Sequence, residues 1–156
     1  METKSFLGAL DHKRIVKAIQ DAEARSRGEV RVHVSQQAVQ DAQPDTTREA
    51  AVQTAAARQF ETLGMTQTAE RNGVLLFVAP VSQTFAVIGD EGIHARCGAD
   101  FWKDVAAAVE ADFRAGRFTD GIVKGVARAG DVLAKHFPRR GGAADANELS
   151  DEVTED

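Results

Sequence analysis

Seven consecutive residues, Gly73-Val74-Leu75-Leu76-Phe77-Val78-Ala79, carry no polar side chain. A strand apolar toward both faces has to be covered on each side, so it belongs in the middle of a sheet with helices above and below. The rest of the chain is read around it. Upstream, Glu29-Val30-Arg31-Val32-His33-Val34 alternates with period two, valines to one face and Glu, Arg and His to the other, which predicts a strand with one wet or functional face. Downstream, Pro80-Val81-Ser82-Gln83 makes a turn short enough that Thr84 to Gly89 returns as an antiparallel hairpin partner.

Helical spacing fills the intervals. Ile15, Ala18, Ile19 and Ala22 follow a capping Asp11 and run toward Arg27-Gly28. Val52, Ala55, Ala56, Phe60 and Leu63 follow Asp45, expected as N-cap, and stop at Gly64. A short turn of helix is expected around Ile93. Phe101, Val105, Ala108, Val109 and Phe113 make a further helix; beyond Gly116, Ile122, Val126, Ala129, Leu133 and Phe137 make the last, closed by Pro138. The order α, β, α, β, β, α, α contains a β-α-β unit whose right-handed crossover makes its two strands parallel. The expected fold is therefore α/β, a three-layer αβα sandwich with a small mixed sheet, a parallel βαβ unit, an antiparallel hairpin strand and helices on both faces.

At 156 residues the chain makes one domain with a real core, expected over residues 1–138. Residues 139–156 set Arg139 and Arg140 against Asp145, Glu148, Asp151, Glu152, Glu155 and Asp156, with few apolar positions, so they are expected as a disordered acidic tail, solubilising or partner-binding. The net charge of −5 argues against nucleic-acid binding. No apolar run reaches the roughly 20 residues of a membrane helix, and Asp11-His12-Lys13-Arg14 cuts short any secretory core, so no membrane insertion and a cytoplasmic location are expected. A single cysteine excludes internal disulfides and cysteine-based metal frameworks.

The hairpin brings Gly89-Asp90-Glu91-Gly92 beside Arg71-Asn72-Gly73, and the parallel neighbour starts at Glu29 on the same sheet edge. Asp90, Glu91 and Asn72, with Asp120 at the head of the last helix, supply oxygens for a Ca²⁺ or Mg²⁺ site. Equally, Asp90 fixes the turn, Glu91 caps the next helix, Asp120 is an N-cap and Arg71 is a salt-bridge partner for Asp90 or Glu91. Arg71 and Glu29 are the weak candidates for charge stabilisation and for a base. No phosphate-binding G-x-x-x-x-G-K-S/T loop, G-x-G-x-x-G, G-x-S-x-G or H-E-x-x-H is present. His94, three residues before Cys97, forms a base and thiol pair only in principle; the thiol is expected to be buried and structural. His33 faces the polar side of its strand as a ligand group or simply as surface, and His12 and His136 sit at helix ends.

Four segments in this order, Gly28-Glu29-Val30-Arg31-Val32, Arg71-Asn72-Gly73-Val74-Leu75, Phe85 through Ile93 with its Gly89-Asp90-Glu91-Gly92 loop, and Phe113 through Ile122, resemble the TPM domain over about Asp11 to Pro138. The resemblance implies an α/β sandwich, a divalent-cation site at Asp90 and Glu91, and either a metal-dependent phosphatase acting on phosphomonoesters or an accessory, protein-interaction role. Relatives in photosystem II maintenance and acetylcholine-receptor assembly point to the second. Unlike many relatives, the chain is expected to have no signal peptide, membrane anchor or glycine-rich tail.

Overall fold

A computed structural model of the protein describes residues 2–39, 47–98, 101–139 and 153–156. The elements are α1 (Thr3–Ala9), α2 (His12–Ala24), β1 (Glu29–Val34), α3 (Arg48–Thr62), β2 (Gly73–Ala79), β3 (Thr84–Gly89), α4 (Glu91–Cys97), α5 (Phe101–Arg114), α6 (Phe118–His136) and β4 (Thr154–Glu155), with short 3₁₀ turns at Met65–Gln67 and Pro80–Ser82. The sheet order is β3-β2-β1-β4. β1 and β2 run parallel with Glu29 opposite Gly73, and β3 returns antiparallel with Gly89 opposite Val74. The mixed sheet and the helices on both its faces are those the hydrophobic pattern predicts.

The period of two along β2 divides the core. Val74, Leu76 and Val78 turn to one face, where they meet Val30, Val32 and Val34 of β1 and the apolar stripes of α1, α2, α5 and α6. Leu75, Phe77 and Ala79 turn to the other, against Val52, Ala56 and Phe60 of α3 and Met65. Each fully buried aliphatic side chain contributes about 1.5–3 kcal/mol, so this two-sided strand is the energetic axis of the fold.

Local signals set most boundaries. Asp11 caps α2 by accepting from the Arg14 N–H at 3.2 Å. Gly64 ends α3 in the left-handed region at φ +73°, where a side chain would be strained. The cap of α3 is Thr47, which accepts from the Ala50 N–H at 3.1 Å; Asp45, expected in that role, lies outside the described residues. Helix α2 stops at Ala24 rather than near Gly28; Gly28 itself lies where α6 crosses, and a Cβ there would come within 2.5 Å of Leu133 Cδ2.

Three expectations are corrected. Helix α1 precedes the expected start and buries Phe6 against Phe113 and Phe118, an aromatic cluster that joins the first helix to the α5–α6 junction. The face of β1 carrying Glu29, Arg31 and His33 is not wet: all six residues of the strand are buried, and His33 is enclosed by Thr154, Asp156 and Phe77. The acidic tail, expected to be unstructured from residue 139, ends in β4, where Thr154 pairs with His33 and Glu155 with Val34 in parallel register. Residues 140–152 lie outside the described residues. Among the described residues no helix is long and apolar enough to cross a membrane.

Candidate functional site

β1 and β2 begin, and β3 ends, at one end of the sheet, and polar groups gather there as the topology requires. Asp90 sits at the turn from β3 into α4. Its N–H donates to the Gly73 carbonyl at 3.0 Å, and its carboxylate accepts from the Glu91 N–H at 2.8 Å. The same carboxylate accepts from Arg71 Nε at 2.8 Å and Arg71 Nη2 at 2.9 Å, a bidentate pair in which Asp90 is buried. The hydrogen bond to Asp90 raises the Arg71 pKa above its ordinary value, holding the guanidinium charged.

Arg71 is presented by an unusual backbone, with φ at +52° in a non-glycine residue. Its carbonyl accepts from the Gly92 N–H at 2.9 Å, and a Cβ on Gly92 would come within 2.3 Å of the Glu70 carbonyl oxygen. The glycine of the acidic turn is thus a packing requirement. Asn72 is buried beside it, donating from Nδ2 to the Arg27 carbonyl at 3.1 Å, while its N–H donates to Thr68 Oγ1 at 3.2 Å. Its Oδ1 has no hydrogen-bond partner among the described residues. Glu29 is buried at the first position of β1, whereas the Glu91 side chain is 81% exposed and stands 3.7 Å from Arg71 Nη1.

Asp120 does not join this group. It heads α6, whose other end meets Arg27 through the Phe137 carbonyl, and a 19-residue helix is about 28 Å long. Asp120 therefore lies at the opposite end of the sheet, paired with Arg14 at 3.0 Å. Sequence adjacency gave no hint of α6's direction across the sheet.

Several buried polar residues escaped the sequence reading. Arg27 donates from Nε and Nη2 to Glu70 at 2.8 and 2.9 Å, and from Nη1 to the Pro138 carbonyl, tying the sheet end to the end of α6. Asp112, buried between α5 and α6, pairs with Lys124 at 2.9 Å and Arg117 at 3.0 Å, and these cations, Lys124 above all, hold its carboxyl below the usual range. Burial pushes the Cys97 thiol up, away from the thiolate a nucleophile needs. His33 is enclosed at the other edge of the sheet: Nε2 lies 2.7 Å from Asp156 Oδ1, Nδ1 lies 2.8 Å from Thr154 Oγ1, and the ring stacks on Phe77.

The sequence profile of the TPM domain matches residues 2–132. The chain belongs to the TPM domain family. The BA42 protein of the psychrophilic bacterium Bizionia argentinensis, solved by NMR, superposes with a TM-score of 0.79 at 36% identity, over 93% of this chain and 92% of that one. The N-terminal domain of a P. gingivalis protein, at 17% identity and a TM-score of 0.56 over 80% of this chain and 76% of its own, shares the fold. No curated protein matches the sequence.

For this TPM domain, the carboxylate oxygens expected to hold a cation are paired with arginines, and among the described residues Asn72 Oδ1 alone of the expected ligands is left without a partner. A Ca²⁺ site takes six to eight oxygens, but here both Asp90 oxygens serve Arg71, Asn72 turns its amide nitrogen to Arg27, Glu91 points outward and Asp120 is remote. No group of three or more His, Cys, Asp or Glu among the described residues is arranged to hold a metal ion. In this arrangement the Asp90 turn does not fit a hard-cation centre; its geometry is that of a helix cap locked by an arginine.

Proposed function

We propose that this TPM domain acts as an accessory module that binds an extended, largely apolar segment of another protein. The observation that carries the reading is a groove along the outer edge of β3. Because the Asp90 N–H bonds to Gly73 across the antiparallel pair, alternation assigns Thr84, Ala86 and Ile88 to β2 and turns the backbone groups of Phe85 and Val87 outward. Those groups line a cavity of about 690 Å³ walled by Val52 and Gln53 of α3 and by Trp102 and Ala106 of α5. A strand laid there gains main-chain hydrogen bonds from the edge and apolar contact from both walls. Arg48 and Arg114 are matched by Glu49 and Glu110 around it, which suits an uncharged segment.

A phosphomonoesterase would need a positioned nucleophile or base beside a free charge-stabilising group. The Arg71–Asp90 pair uses both of its members internally, which supports the binding reading over hydrolysis. The test combines two measurements. Display-selected peptides should be apolar and extended, and should lose binding to Ala106→Arg, which fills the groove. A model phosphomonoester should show no Ca²⁺- or Mg²⁺-dependent turnover. Turnover that requires the metal and disappears in Asp90→Asn, or selected peptides indifferent to Ala106→Arg, would overturn the reading.

A further inference from the structure

The two edges of the sheet are finished differently. The Glu29 N–H donates to the Asn72 carbonyl and the Ser35 N–H to the Val78 carbonyl, so Val30, Val32 and Val34 turn their backbone groups away from β2. At one end of this edge the Val30 N–H is taken by Glu23 Oε2 of α2 at 2.9 Å. At the other end β4 lies alongside, pairing with only His33 and Val34 of the six residues of β1. A two-residue strand is too short to be held by its ladder alone.

Side chains supply the rest, and they do so selectively. Thr154 Oγ1 donates to the Val32 carbonyl at 3.3 Å and lies 2.8 Å from His33 Nδ1. Asp156 is met by three groups in one cluster: His33 Nε2 at 2.7 Å, the Ser35 hydroxyl donating at 3.0 Å, and Gln36 Nε2 donating to its main-chain oxygen at 2.6 Å. His33 is fully buried and fixed against Phe77, so the group that meets this carboxylate is preorganised by the sheet.

We propose that the edge of β1 from Val32 to Ser35 is a strand-addition site for a partner segment carrying a hydroxyl residue two places before a carboxylate, a site that residues 153–156 fill in cis. The seated segment shows the chemistry of the occupant: parallel register, a threonine read by His33 Nδ1 and the Val32 carbonyl, and an aspartate side chain read by His33 Nε2 and Ser35, with Gln36 holding the main chain of that residue. The tethered segment acts as a placeholder of high effective concentration, which a longer strand of the same pattern displaces. This surface is separate from the β3 groove and stands or falls independently of it.

The experiment titrates a synthetic peptide with the sequence of residues 150–156 into the isotope-labelled full chain and into its Asp156→Ala variant. Shifts are followed at the Val32 and Val34 amides and the His33 ring. The expected result is binding at this edge about tenfold tighter in Asp156→Ala, since its own segment competes less. A peptide with the threonine changed to valine and the aspartate to asparagine should bind neither. Equal binding of the altered peptide, shifts confined to the β3 groove, or no binding to either chain at millimolar peptide would overturn the proposal. His33→Gln, checked for its melting transition, supplies the second measure: unchanged peptide affinity in a folded His33→Gln chain would also refute it.

Discussion

Arg71 and His33 show opposite ways in which a polar residue becomes structural. Arg71 lies at a sheet end that the hairpin arithmetic already brings near Asp90, and pairing with Asp90 or Glu91 was open to it from the sequence; the structure selects the buried Asp90, with Glu91 left at 3.7 Å. His33 reads as a surface residue by alternation, yet it is enclosed, because burial depends on what covers the strand and not on its pattern. Its pKa is lowered, chiefly by desolvation and further by the Arg31 charge, against the raising effects of Asp156 and Glu155. With a native pKa below the unfolded value of about 6.5, the unfolded state takes up the proton first as pH falls. Stability is then fully present above that value, declines as pH drops through it, and levels once the native imidazole also protonates. Melting temperatures measured from pH 7.5 to 5.5 should fall in the wild type and fall less in His33→Gln; an equal slope in both would show that His33 is not the titrating group.

At the level of elements, the acidic turn between β3 and α4 is a joint more than a pocket. The Asp90 carbonyl starts α4 by accepting from Ile93 at 3.0 Å and His94 at 3.2 Å, and Gly92 lets the first turn of that helix rest on the Glu70–Arg71 backbone. A methyl group has no room there, because its nearest neighbours are main-chain carbonyls that cannot rotate away. Gly92→Ala should cost about 1–3 kcal/mol, the range for overpacking a closed site, read as a lower denaturation midpoint with an unchanged denaturant slope. A midpoint equal to the wild type's would show that α4 shifts without penalty.

For the whole molecule, the decisive feature is how the ends of the chain are used. Helix α1 docks Phe6 into the Phe113–Phe118 cluster, and its Thr3 hydroxyl donates at 3.2 Å to the carbonyl of Ser35, the residue whose own hydroxyl holds Asp156. The sequence pattern alone predicts that ending the chain near Pro138 costs little. With β4 seated on β1, a chain ending at Arg139 loses the bonds to His33, Ser35 and Gln36 and uncovers the buried imidazole. Unsatisfied buried groups cost about 1–3 kcal/mol, and for a domain of this size each kcal/mol is worth about 2–4 °C. The shortened chain should melt several degrees below full length, by calorimetry; coincident transitions would show that β4 contributes nothing to stability.

Short-range rules carried much of this fold: β2's two apolar faces, the Pro80–Gln83 turn, the Asp11 cap and the glycine after α3 each specify a local conformation by their own steric and hydrogen-bonding needs. Strand direction followed from connection lengths, and with it the meeting of Glu29, Asn72, Arg71 and Asp90. What the sequence left undetermined are facts about distance between remote segments. The direction of α6 separates Asp120 from Asp90, the crossing of α6 explains Gly28, and the docking of residues 153–156 buries His33. These depend on which surfaces remain uncovered after the layers have packed, a quantity that exists only once the whole chain has folded.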